Sequence, residues 1–221
     1  YMTRELHFSI GEAGIIMSFY GIGSVVGAYV GGWLTDRMNY FTVMLMALVG
    51  CGAVLLLMLF TTSPVMIAVI MFTYPLIGDM FRPANSTAIA SYSTPENLTR
   101  SVSLVRLAVN LGFSVGPAIG GFIALWLGYR WLFVLDAVTS FLAAIMLYFY
   151  LPKRPPALKR PRTEVSTSIE STSAYRDYRF LFFIFLVALY GTCFFQLFAS
   201  VPQFFSHQYH YSEDTIGLLM A

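Results

Sequence analysis

Of the 221 residues, 57% are hydrophobic, 17% aromatic and 11% charged, with a formal net charge of +2 and a mean hydropathy of +0.70. Water-soluble domains run at about 45–50% apolar and about 25% charged, so this composition argues against a soluble globule. The charges also collect in short stretches between long apolar runs, the pattern of a polytopic membrane protein or a piece of one. The first residue is Tyr1 rather than Met, from which we expect the chain to begin partway through a longer protein.

A hydrocarbon core about 30 Å thick needs about 20 helical residues to cross it. In chain order, spans are predicted at about 11–33, 41–61, 64–91, 103–127, 131–151 and 179–202, with a seventh starting near Thr215. Unpaired backbone is too costly in lipid, so these segments must be helices. The expected fold class is all-α and transmembrane.

The first span opens at Glu12, where a helix start favours an anion, and carries Gly23, Gly27, Gly31 and Gly32. The second holds Cys51, which like Cys193 sits in an apolar run, so no disulfide framework or cysteine-based zinc site is expected. The third carries Asp79 and Arg82, three apart and therefore on one face, continued by Asn85 and Ser86, with Pro75 and Pro83 bending the helix. Ionised groups inside a span cost about 2.5–3.5 kcal/mol each at its centre and point to function. A paired Asp79 and Arg82 would respond to a proton or an anion; the alternative is a static internal salt bridge. We expect this span to line an aqueous cavity.

The fourth span has Arg106 and Asn110 on one face, flanked by Ser103 and Ser114, then Gly112, Gly116, Pro117, Gly120 and Gly121. Arg106 either faces the cavity or snorkels toward the near surface. Asp136 lies about a turn inside the fifth span, as a proton-accepting carboxylate or as a partner of Arg130. A Pro-, Ser-, Thr- and basic-rich segment at 152–178 lacks the hydrophobicity to fold alone and reads as a linker, either a plain tether or a binder of anionic headgroups. Gln196 in the sixth span contacts substrate or a neighbouring helix. His207 and His210, in HQYH, have no carboxylate or cysteine at metal-ligand spacing and read as a solvated loop.

Basic residues orient the stack. With residues 1–10 outside, the cytoplasmic side holds Arg37, Arg100, Lys153, Arg154, Lys159, Arg160, Arg162, Arg176 and Arg179, against only Arg4 and Arg130 opposite. Trp33, Trp126 and Trp131 fall at the predicted interfaces.

The first and fourth spans share the spacing G-x3-G-x3-GG. Glycines four apart lie on one face and let a neighbouring backbone approach closely. Three spans apart and running in opposite directions, the two segments also suit inverted three-helix repeats; chance is the plainer alternative.

These residues resemble the major facilitator superfamily, in particular its drug:proton antiporter-like branch. Gly32-Trp33-Leu34-Thr35-Asp36-Arg37-Met38-Asn39-Tyr40-Phe41 is similar to that family's loop motif G-x-L-a-D-[RK]-x-G-[RK]-[RK]. Asn39 stands for glycine, which is tolerable if Asn enters the left-handed region, and Tyr40 and Phe41 stand where two cations are expected. Arg82 resembles the arginine of the R-x-x-x-G motif, with Ser86 in the glycine's place. Gly112-x3-Gly116-Pro117-x2-Gly120-Gly121 is similar to the G-x3-G-P-x2-G-G signature of antiporters.

The resemblance implies helices two to seven, plus the start of the eighth, of a twelve-helix fold. Residues 1–151 would form most of the N-terminal bundle, 152–178 the linker between halves and 179–221 the start of the C-terminal bundle. It also implies alternating access in a cell (plasma or inner) membrane, with proton-coupled efflux as the expected activity. A symporter and a non-transporting receptor of the same fold are the alternatives, and a membrane-embedded enzyme is the remotest. Asp36 and Arg37 would hold a gate, and Asp79 with Arg82 would respond to protons, with Asp136 in reserve. The expected partners are membrane lipid, a small-molecule substrate, protons and the remaining helices, with no nucleic acid. No cofactor beyond the proton gradient is expected.

Overall fold

The computed structural model describes residue 6 and residues 8–151, 177–209 and 211–220, with the side chains of residues 10, 195–199, 207, 213 and 214 set aside. Among the described residues eight helices follow one another: α1 (Ile10–Arg37), α2 (Tyr40–Met58), α3 (Pro64–Gly78), α4 (Phe81–Tyr92), α5 (Leu98–Trp126), α6 (Tyr129–Tyr150), α7 (Tyr178–Gln208) and α8 (Glu213–Met220). No strand occurs among the described residues. Among the described residues five segments are long and apolar enough to cross a membrane, at 11–37, 40–58, 64–92, 98–126 and 129–150, matching the first five predicted spans. The sixth falls on α7, a helix of 31 residues and so about 46 Å long. Most of the expected 152–178 linker, residues 152–176, lies outside the described residues, as does His210.

Local chemistry explains the helix ends. α1 starts in a capping box: the Ser9 side chain accepts from the Glu12 amide at 3.2 Å, and the Glu12 carboxylate accepts from the Ser9 amide at 2.9 Å. Two orphan donors are satisfied together, so Glu12 is a capping residue. Asn39 behaves differently from the sequence expectation. At φ −69° and ψ 131° it is extended rather than left-handed, and its side chain caps α2 by accepting from the Phe41 amide at 3.0 Å. α3 begins on Pro64, where a missing N–H costs nothing. Gly128, at φ +89°, makes the tight turn into α6, a conformation that L side chains avoid.

Two compact units are present. The first comprises residues 1–113 with 123–158. In it α1 packs along α3 and α4, and α2 lies between that pair and α6. Two apolar clusters hold it together. One joins Ile16, Val54, Met58, Ile67 and Ile70, with Tyr74 and Phe133 alongside. The other joins Tyr40, Phe41, Val43, Met44, Ala84 and Ala88, with Met80, Phe81 and Tyr92 alongside. The second unit comprises residues 114–122 with 159–221. There Gly217 of α8 sits so close to α5 that a Cβ on it would meet the Pro117 carbonyl at 2.5 Å and the Gly121 Cα at 3.2 Å.

The two related glycine faces are therefore used differently. On α1, a Cβ at Gly23 would run into Phe72 and Pro75, one at Gly27 into Leu76 and Pro75, and one at Gly31 into Met80. On α5, Gly112 and Gly116 have nothing within 4 Å of such an atom. Close backbone approach by glycine is thus realised along all of the α1 face, whereas on α5 it involves Pro117 and Gly121.

Tyr40 and Phe41, at the positions where the loop motif calls for cations, are 7% and 5% exposed in the second cluster. The hydroxyls of Tyr40 and Tyr92 lie 3.3 Å apart, tying the start of α2 to the end of α4. Tyr40→Arg, which would restore the motif, is expected to cost several kcal/mol by placing an unpaired cation among apolar side chains. Tyr92→Phe should cost only about 0.5–1.5 kcal/mol, the worth of one hydrogen bond. Thermal melting of the detergent-solubilised protein would rank the two.

Candidate functional site

The third predicted span is not one bent helix, as the sequence suggested, but two helices divided at Asp79–Met80. The Asp79 amide still donates to the Pro75 carbonyl at 2.9 Å and closes α3. An uninterrupted helix would also require the amide of residue 83 to donate to the Asp79 carbonyl. Residue 83 is proline, which has no N–H and whose ring crowds that carbonyl, so the helix restarts at Phe81. Within a bilayer such a break is tolerated where the backbone is buried in protein or lines a wet cavity.

Asp79 sits at this break with both carboxylate oxygens engaged. Oδ1 accepts from Arg82 Nε at 3.0 Å, and Oδ2 accepts from the Ser24 hydroxyl of α1. The side chain of Asp79 is 13% exposed and that of Arg82 76%. The α1 glycine face sets up this contact, because Ser24 follows Gly23 and reaches α3 only if the two backbones approach that closely. Two donors on one carboxylate offset part of the cost of placing it in the span.

An open cavity of about 300 Å³ lies beside this group, bordered among others by Tyr20, Cys51, Tyr74, Asp79, Arg82 and Ser140. The Tyr20 and Tyr74 rings are 6.4 Å apart between centroids. The Cys51 thiol donates to the Tyr74 carbonyl at 3.8 Å. Asp79 follows Ile77, which packs on the first apolar cluster, and precedes Met80, which packs on the second. The polar group therefore lies between two apolar seals.

The other candidates divide clearly. Asn85 is half-buried on the face of Arg82, and the Ser86 hydroxyl donates back to the Arg82 carbonyl at 3.0 Å. Asp136 is exposed on α6, and its backbone carbonyl accepts from the hydroxyls of Thr139 and Ser140 at 3.0 and 2.7 Å. The expected alternative of an Arg130 partner gives way to another contact: Arg130 donates to the Leu59 carbonyl, which is left open at the end of α2, at 2.9 Å. Arg106 and Asn110 are exposed on α5, a helix with no buried residue among those described, and neither borders the cavity. Asp36 and Gly32 face open surroundings at the end of α1, where the Arg37 guanidinium lies 4.2 Å above the Trp33 ring. The side chains of Gln196 and His207 are outside the described residues.

Sequence reasoning brought Asp79 and Arg82 together and missed Ser24, Tyr20 and Tyr74. A hydroxyl one residue from a glycine on a packing face was the available signal for Ser24. Nothing in the sequence pairs the two tyrosines across 54 positions.

The family model described as Major Facilitator Superfamily matches residues 1–221. Among curated relatives, the chain is 26% identical to a cis,cis-muconate transport protein of Acinetobacter baylyi, over 79% of this chain and 42% of that protein. It is 31% identical to a 4-hydroxybenzoate transporter, PcaK, of Pseudomonas putida, over 69% of this chain and 34% of that protein. To a multi-drug resistance efflux pump PmrA homolog of Lactococcus lactis it is 25% identical, over 53% and 29%. The chain thus spans less than half the length of each of these relatives.

Proposed function

The chain belongs to the major facilitator superfamily, and from that premise we propose that it forms part of a proton-linked carrier of small organic acids. It is a multi-pass membrane protein of a transporter family; the substrate class, the coupling and the direction are our reading. The observation that carries this reading is the Asp79–Arg82–Ser24 group at a mid-span helix break beside a cavity. Interrupted helices near the membrane midplane are where secondary transporters place substrate and coupling ions.

Charge balance supports coupling to a proton. Asp79 and Arg82 together are neutral. An organic anion entering the cavity leaves one negative charge in excess in a medium that penalises it, and a proton on Asp79 removes that excess. Acid and proton then cross together without net charge. The relatives named for muconate and 4-hydroxybenzoate support an anionic substrate.

A second reading, efflux in exchange for protons, is favoured by the Gly112–Gly121 motif and by the relative named as an efflux pump. One experiment separates the two. The full-length gene product, in proteoliposomes with an imposed pH gradient, should accumulate benzoate on the alkaline side faster than protein-free liposomes, which neutral benzoic acid crosses unaided. Accumulation on the acidic side would favour exchange, and no gradient-dependent movement of any organic acid would remove the proposal.

A further inference from the structure

Arg82 is only partly used by its partner. It gives Nε to Asp79, whereas its two terminal nitrogens carry four further N–H donors with no partner among the described residues. Its side chain is three-quarters exposed and borders the cavity. The position is also central. In the segment Pro64–Tyr92, Arg82 lies four residues past the midpoint, or about 6 Å along the axis. An arginine at that depth is costly unless it faces water, protein or a ligand.

We propose that this free edge of Arg82 is the carboxylate-binding element of the carrier, and that the aromatic walls beside it select planar, conjugated acids. The assignment rests on the organic-acid reading given above and adds the atoms that would perform it. The terminal nitrogens of a guanidinium match a carboxylate in a bidentate pair, a geometry that an ammonium cannot reproduce. Asp79 and Ser24 act as positioning residues. Asp79 holds Nε from α3, and Ser24 holds Asp79 from α1, so the guanidinium plane is fixed before the ligand arrives and less ordering is needed on binding. Phe81, Tyr20 and Tyr74 line the same cavity, and offset or edge contacts between aromatic groups strengthen binding beyond buried area.

The test uses the full-length protein in proteoliposomes, with benzoate as substrate and benzamide, its uncharged isostere, as competitor. Arg82→Lys keeps the charge and loses the fork. The expected result is a KM for benzoate raised at least about tenfold, as for loss of one charge-assisted hydrogen bond, with a much smaller change in kcat. Tyr20→Leu should lower the preference for benzoate over butanoate several-fold. Benzamide should compete poorly with benzoate in the unmodified protein.

An Arg82→Lys protein with an unaltered KM, or benzamide competing as well as benzoate, would overturn the assignment while leaving an organic-acid carrier intact. An unmodified protein that moves no carboxylate would overturn both. If Arg82→Lys does not reach the membrane, the benzamide competition and the Tyr20→Leu selectivity decide.

Discussion

Asp79→Asn, in the full-length protein, is expected to abolish accumulation driven by a pH gradient while leaving the exchange of substrate for substrate. With one proton per acid, a gradient of one pH unit carries about 1.4 kcal/mol and sustains about tenfold accumulation. The variant should lose the protein-dependent part of the initial uptake rate, measured against protein-free liposomes that neutral benzoic acid crosses unaided. The geometry makes this a clean substitution. An asparagine oxygen can still accept from Arg82 Nε, where Asp79 Oδ1 does so at 3.0 Å, and the amide remains within reach of the Ser24 hydroxyl. What is lost is the exchangeable proton. Counterflow of labelled against unlabelled benzoate, measured beside gradient-driven uptake, separates the two functions. An unaltered protein-dependent uptake rate in the variant would remove Asp79 from the coupling and leave Asp136, one turn from the cavity-lining Ser140, as the next carboxylate to replace.

The second large effect concerns α1. Gly27→Leu should prevent stable assembly of the first unit, because even the first added carbon runs into the carbonyls of Leu76 and Pro75, the latter at 2.7 Å. These are backbone atoms and cannot rotate away. Gly27→Ala is expected to cost about 1–3 kcal/mol, as overpacking of a tight contact does, and the larger side chain more. Gly112→Ala, in the matching motif of α5, meets nothing within 4 Å. It should be neutral or gain up to about 1 kcal/mol from the helical preference of alanine. Melting of the solubilised protein, followed by size-exclusion chromatography at rising temperature, would read all three. Equal losses at Gly27 and Gly112 would contradict the packing described here.

The spans were legible because the bilayer imposes one length and one polarity on whatever crosses it. Asp79 and Arg82 were legible because three residues is less than one helical turn. The break between them was not foreseen, although Pro83 stands four residues after Asp79, the spacing that cancels a helical hydrogen bond. Ser24 was invisible for a different reason. Its partner is 55 positions away, and its role depends on how closely two backbones meet, which a glycine pattern permits without specifying. The same limit explains the unequal glycine faces: identical spacing on α1 and α5 says what can pack there, not what does. Tyr40 and Phe41 were read as departures from a charged loop. Their burial follows from neighbours on α4, Ala84 and Ala88, whose small side chains leave room for rings. The expected antiporter branch rested on the α5 motif, and the relatives named for organic acids now weigh more heavily on the choice of substrate.

The seam between α1 and α3–α4 has a mechanical consequence. At Gly23, Gly27 and Gly31 the nearest atoms are backbone atoms of Phe72, Leu76 and Met80, joined by the Pro75 ring and the Met80 Cβ; so tight a joint leaves little to compress, and a displacement at Ser24 is carried along α1 rather than absorbed. Asp36 lies twelve residues further on the same unbroken helix, about 18 Å away. A rocking of only ~5° about the seam would carry its carboxylate ~1.6 Å, enough to make or break a hydrogen bond. A chemical event on one part-buried acid would in this way reach the far end of the rod as a movement many times larger than a bond vibration, with no other part needed to relay it.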